Sequence, residues 1–231
     1  MISCLPVFLS RHMATCRAMG GLIVSASLLA ACSSAPVKFY TLGASAIATG
    51  ATSASGSVSP VTESTTVIEV EHARIPDYLD GQDILVRDGH EIERSSLGRW
   101  ASRLSVGATD LVTARLAQKW PDRFVTDQPQ PQPPTWRLAI NISRLDVSRN
   151  GAAALNADWS IIPQDLHQPI QRNRTHIETT GSGAGSNNHV AETTESLLDQ
   201  LSDKIAASWP HATLPTTHAT HHRAGSANPP V

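Results

Sequence analysis

Residues 136–161 read Trp-Arg-Leu-Ala-Ile-Asn-Ile-Ser-Arg-Leu-Asp-Val-Ser-Arg-Asn-Gly-Ala-Ala-Ala-Leu-Asn-Ala-Asp-Trp-Ser-Ile, and this stretch decides the fold. Trp136, Leu138, Ile140 and Ile142 alternate with Arg137, Ala139, Asn141 and Ser143, the two-residue period of a strand buried on one face. The apolar parity then moves to Leu145 and Val147, which predicts a β-bulge near Ser143-Arg144. Leu155, Ala157, Trp159 and Ile161 repeat the alternation. Between the two runs stands Asn150-Gly151, a pair that tolerates the positive φ angles of a type I′ turn, so the stretch predicts a β-hairpin.

Downstream, Ile170–Thr180 is strand-like but polar on both faces, with Arg172, Arg174, His176 and Glu178 on one of them. That face is a docking surface or a solvated outer strand. A Gly-Ser loop at 181–186 leads into a last helix whose buried stripe is Leu198, Leu201, Ile205 and Trp209. Upstream, Thr66–Ala73 sets Ile68 and Val70 opposite Glu69 and Glu71, a half-buried strand. Ile84-Leu85-Val86 is a second short strand and Glu91–Arg94 a third. Leu104, Ala108, Leu111, Val112 and Leu116 recur at helical spacing and predict a helix over Ser105–Lys119, closed by Trp120-Pro121. Gln128–Pro134 is a Pro/Gln linker held extended by its prolines. Two amphipathic helices covering one apolar face of a mostly antiparallel sheet is the economical arrangement, so the expected fold class is α/β (α+β), a two-layer sandwich.

The folded domain is expected to span 37–209, starting with a strand-like Val37–Leu42. From 43 to 66 the chain is Gly, Ala, Ser and Thr with almost no large apolar residue. Such a segment cannot bury enough surface to offset its ordering entropy, so it reads as a flexible insertion. Residues 210–231 have the same character and read as a disordered tail, its His211, His218, His221 and His222 solvated rather than ligating. At the other end, Ala18–Ala31 is an apolar run of 14 residues after Arg11 and Arg17. A bilayer span needs roughly 20 apolar residues, so the run is a secretory signal (1–31) rather than a membrane helix. It ends in Leu29-Ala30-Ala31-Cys32, which looks like the bacterial lipobox. That resemblance implies a diacylglyceryl group on Cys32, a cut just before it, and a lipidated tether at 32–36. Ser33 stands where an aspartate would resemble the inner-membrane retention signal, so the outer membrane is the expected destination. Translation starts at Met1 or at Met13, which would begin a tidier signal.

Composition excludes several classes. The 231 residues are 40% hydrophobic and 4% aromatic, with 18 Lys+Arg against 20 Asp+Glu. There is no basic stripe of the kind that binds nucleic acid by counterion release. The three cysteines are Cys4, Cys16 and Cys32, so the domain has no disulfide framework, thiolate nucleophile or Cys-based zinc site. Gly-x-Ser-x-Gly, a Walker loop and His-Glu-x-x-His are all missing, and catalytic residues are read as none. Asp77, Asp80, Asp83 and Asp88 do not match a calcium loop, so metal and cofactor sites are also read as none.

Several pieces together resemble one family, the ABC-type transport auxiliary lipoproteins (PqiC/YmbA-like). They are Cys32 followed by Phe39-Tyr40-Thr41-Leu42, then Ile75-Pro76-Asp77-Tyr78-Leu79-Asp80 with Ile84-Leu85-Val86-Arg87, then Arg99-Trp100-Ala101 before the first helix. Trp136–Val147, Ala157-Asp158-Trp159 and the closing helix complete the likeness, which covers about 32–209. The resemblance implies a non-enzymatic, periplasm-facing lipoprotein. It would serve an ABC transporter or permease and an MCE (mammalian cell entry) tunnel protein that moves lipid or other hydrophobic compounds, as an outer-membrane docking component and a homo-oligomer. The long 43–66 insertion and the tail after Trp209 depart from the pattern. The alternative is a periplasmic lipoprotein that itself holds a hydrophobic ligand under its sheet. Only Ser33–Pro36 separate the anchor from the first strand, at most about 14 Å of chain, which keeps the domain at the membrane surface. Ile75, Pro76, Tyr78 and Leu79 form a Pro-stiffened loop that either offers a protein contact or folds onto its own core.

Overall fold

The computed structural model describes residues 35–43, 65–181 and 185–210. The signal segment, Cys32, nearly all of the 43–66 insertion and the tail from 211 onward lie outside the described residues. The described chain runs β1 (Lys38–Tyr40), β2 (Val67–Val70), β3 (Asp83–Asp88), β4 (Glu91–Trp100), α1 (Leu104–Lys119), β5 (Phe124–Thr126), β6 (Trp136–Val147), β7 (Ala153–Pro163), β8 (Gln171–Thr179) and α2 (Asn187–Ser208). The fold is α+β.

The hairpin β6–β7 is its spine. Leu138, Ile140 and Ile142 point inward from β6, and the register slips between Ile142 (opposite Ala157) and Arg144 (opposite Asn156). Ser143 is therefore the extra residue of the bulge, and the slip returns Leu145 and Val147 to the core side. The turn differs from a type I′ turn centred on Asn150-Gly151. Gly151 N–H donates to Ser148 C=O at 2.9 Å, which puts Arg149 and Asn150 at the centre, with Gly151 after them at φ 87°. The Asn150 side chain accepts from Ala152 N–H at 3.1 Å, and Ser148 N–H closes the ladder on Ala152 C=O at 2.7 Å. This is the longer, bulged hairpin connection, in which glycine takes the left-handed position.

The strands form two mixed sheets rather than one mostly antiparallel sheet: β1-β4-β3, and β5-β2-β6-β7-β8. Strand β2 runs parallel to both β5 and β6, and β1 runs parallel to β4. Parallel neighbours need crossovers, and α1 lies within the connection from β2 to β5. Both helices pack on each other and against the five-stranded sheet, α1 reaching β5 and α2 reaching β6, β7 and β8. Leu138, Ile142, Leu155 and Ile161 from the hairpin meet Leu116 of α1 and Leu197, Leu198, Leu201 and Ile205 of α2, all fully buried. Each such side chain contributes about 1.5–3 kcal/mol. Where the helices end, Trp209 packs on Trp120 and Trp136 with ring centroids 4.7 and 5.9 Å apart. Three of the five tryptophans thus gather at one corner of the core. No helix among the described residues is long and apolar enough to cross a membrane.

Candidate docking and anchoring site

The loop from Ile75 to Asp80 begins where the chain leaves the sheet after Arg74, which bridges to Asn141. Proline at 76 fixes the entry, and Pro76 C=O then accepts from Leu79 N–H at 2.8 Å and Asp80 N–H at 3.1 Å, winding the loop into one tight turn. The turn aims its side chains in opposite directions. Leu79 is 5% exposed, beside Trp100, Leu104 and Leu145, and Ile75 packs on the core edge with Pro76 half-buried. Tyr78 is 51% exposed, its hydroxyl 3.5 Å from an Arg87 guanidinium nitrogen that donates to it. The four residues are brought together, but Tyr78 is the one the loop presents to solvent.

Asp80 gives the loop its second task. Arg103, at the cap position of α1, makes no side-chain cap. Instead Asp80 Oδ1 accepts from Ser105 N–H at 3.1 Å and Oδ2 from Arg103 at 2.8 Å, so a distant loop caps the helix. Burial alone would raise the Asp80 carboxyl. Hydrogen bonds from Ser105 and the charge and hydrogen bond of Arg103 outweigh it and hold the group below its ordinary value. A depressed carboxylate stabilises the fold above the unfolded-state pKa, and that stability is lost as pH falls through the folded value. Asp80→Ala is expected to cost about 1 kcal/mol at pH 7, read as a lower urea midpoint, with a difference that shrinks in acid.

The hydroxyl–imidazole pair of Ser105 and His72, with the Asp80 carboxyl nearby, does not make a hydrolase. His72 Nε2 lies 2.9 Å from Ser105 Oγ, but Ser105 is 2% exposed and its hydroxyl also bonds Asp80. A nucleophile must reach substrate, and this one is sealed beneath its own partners. On the adjoining turn of α1, burial first and then the Asp127 carboxyl raise Asp110 above its ordinary value, with His72 pulling the other way. A raised carboxyl weakens the fold where it is ionised and stops doing so as pH falls through its folded value. Asp110→Asn is therefore expected to stabilise the protein at pH 7, by less than about 1 kcal/mol for so exposed a pair, and the gain should vanish in acid. Thermal unfolding at both pH values checks this.

Next to β1 lies an open cleft of about 820 Å³, lined among others by Pro36, Lys38, Tyr40, Leu97, Arg149 and Asn187. Ala35 and Pro36, just ahead of β1, form part of its wall. Arg149 ties the hairpin turn to Asp88 at 3.4 Å and to Glu93, so this side of the molecule is joined by charge. Sequence reasoning missed the cleft, because it arises from an irregular stretch of β4. There Ser95 Oγ accepts from Gly98 N–H at 2.9 Å, and a Cβ at Gly98 would fall 2.4 Å from the Asn187 side chain. On β8, Arg172, Arg174, His176 and Glu178 all face solvent, with Arg174 and His176 bonded across to Asp158 and Asn156 of β7. No cluster of metal-ligating side chains occurs among the described residues.

Fold and surfaces together define a small α+β scaffold whose polar groups serve as caps and joints. The family model of the ABC-type transport auxiliary lipoprotein component matches residues 40–206, and the chain belongs to that family. The family is one of lipoproteins, which places the chain among membrane-anchored envelope components of ABC transport systems, and it is not known as enzymatic. No protein with a curated description matches the sequence. Among solved structures, the crystal structure of an uncharacterized protein superposes with TM-score 0.58 at 18% identity, covering 75% of this chain and 98% of that one. A Xanthomonas campestris protein of the DUF330 family gives TM-score 0.50 at 16% identity, covering 73% and 92%. At such identities the likeness speaks for the fold alone.

Proposed function

We propose that the protein is the non-enzymatic docking lipoprotein of an ABC/MCE-type system that carries lipid or other hydrophobic compounds across the periplasm. It is anchored in the outer membrane by acylated Cys32, and it works as a homo-oligomer. One observation carries the reading: a domain of the auxiliary lipoprotein family over 40–206 follows within a few residues of the Leu29-Ala30-Ala31-Cys32 lipobox. The loop at Ile75, Pro76, Tyr78 and Leu79 is the proposed protein contact, with Tyr78 as its exposed member and Leu79 as the peg that holds it. Pull-down of the protein from envelope extracts is expected to recover an MCE-domain tunnel protein, and deletion of the gene to sensitise cells to detergent. A monomeric protein that brings down no such partner would overturn the reading. The ligand-binding alternative draws less support. The gap beside Leu79, Trp100 and Leu145 measures about 20 Å³, room for about one water and not for an acyl chain.

A further inference from the structure

We propose that the outward side of β1, Phe39 with Val37, rests in the headgroup region of the bilayer that holds the chain. The inference builds on the acylated Cys32 proposed above and adds a second, non-covalent contact with lipid. Phe39 is 67% exposed and Val37 45%, two apolar side chains left outside a core that buries most others of their kind. By the two-residue period they share one side of the strand, while Tyr40 on the other side packs against the core. The strand is fixed in place. Lys38, Phe39 and Tyr40 pair in parallel register with Gly98, Arg99 and Trp100, and Trp100 is buried.

Exposure of single apolar residues is ordinary and decides nothing. Position does. Val37 is the fifth residue after Cys32 and Phe39 the seventh, so even a fully extended chain keeps Phe39 within about 25 Å of the acylated residue. With Cys32 acylated, the bilayer surface lies within that reach. Two side chains would hold a membrane poorly from solution, but a tether makes the contact intramolecular and a weak contact then suffices. Lys38 between them is exposed and makes no ion pair among the described residues; the two-residue period puts it on the Tyr40 side, where both line the cleft, so the contact rests on Phe39 and Val37 alone.

The mature chain carries no cysteine besides Cys32, because Cys4 and Cys16 precede the proposed cut. Single Val37→Cys and Phe39→Cys variants can therefore carry a thiol-linked NBD fluorophore, with Leu166→Cys as the control, since Leu166 is 82% exposed in the β7–β8 turn. The full mature protein is placed in phosphatidylethanolamine/phosphatidylglycerol vesicles containing a shallow doxyl lipid. Doxyl quenching severalfold stronger at 37 and 39 than at 166, with iodide showing the reverse order, is the expected result. Equal iodide access at 39 and 166 overturns the proposal. So does shielding from iodide without doxyl quenching, since a protein surface would then cover the strand. Labelled palmitate is followed on the same preparations. Its absence sinks the anchor and leaves the contact to be judged by quenching; its presence with an aqueous label at 39 sinks the contact alone.

Discussion

Replacing Cys32 with serine is expected to abolish palmitate incorporation, leave the 31-residue signal uncut and empty the outer-membrane fraction of the protein. The substitution exchanges sulfur for oxygen in a segment ahead of the domain, so the fold should be untouched. What is lost is the acyl attachment. Each buried CH₂ contributes about 0.8 kcal/mol, a single chain gives only marginal binding, and several chains hold nearly permanently. Nothing else in the described chain replaces that. No helix among the described residues is long and apolar enough to cross a bilayer, and Phe39 and Val37 together offer, even fully buried, about 3–6 kcal/mol before the entropy of binding is subtracted. The uncut signal offers an apolar run of 14 residues where roughly 20 are needed. Density-gradient fractionation with labelled palmitate measures both effects. Continued labelling, or an unchanged outer-membrane share, would falsify the assignment of Cys32.

What could be read before the fold was known follows from how local each signal is. The β6 bulge showed as a change of parity at Ser143, because a period of two forces every later side chain to the other face. Both helices showed as apolar stripes, and Leu198, Leu201, Ile205 and Trp209 are indeed buried. Strand β5 did not show, since three residues are too few to display a period. Nor did the division into two sheets, because parallel pairing of β2 with β5 and β6 joins segments far apart in sequence. The turn was placed one residue too late, since Asn-Gly carries the positive-φ signal whether glycine is at the centre of a turn or follows it. The loop at Ile75–Asp80 was legible as apolar, but not which side chain faces in. Asp80 as the cap of α1 left no trace at all, being 25 residues from Ser105. Alternation put Asp146 on the solvent side of β6. It is buried because arginines from two strands close over it.

That carboxylate is the joint between the two sheets, and Asp146→Ala is expected to be the most damaging single polar substitution in the domain. Asp146 is 5% exposed, its Oδ2 lying 2.8 Å from Arg87 Nε of β3 and 2.7 Å from Arg144 Nε of β6. The Asp146 carboxylate beside it foremost, opposed by burial, raises Arg87 above the ordinary guanidinium range, although Arg87 Nε meets it as an ion pair and not in hydrogen-bond geometry. Main-chain contact continues the joint, with Arg149 N–H donating to Arg87 C=O at 3.2 Å. Removing one partner of a buried pair costs about 3–5 kcal/mol, because the charge left behind stays desolvated. Arg144 is 44% exposed and can turn to water, but Arg87 is 22% exposed and largely cannot. The expected loss is therefore about 3 kcal/mol, against less than about 1 kcal/mol for Arg144→Ala. Replacing both Arg87 and Asp146 with apolar residues of similar volume should recover most of it, since no uncompensated charge then remains. Urea unfolding with unchanged slope measures all three variants. If Asp146→Ala costs no more than Arg144→Ala, the Asp146 carboxylate adds nothing to holding the sheets together. Strands β3 and β4 carry β1, so a loosened joint should disturb the lipid contact proposed for that strand. Asp146→Ala should weaken doxyl quenching at position 39 while palmitate labelling of Cys32 stays unchanged, because the anchor precedes the domain and the contact depends on how the domain holds its first strand.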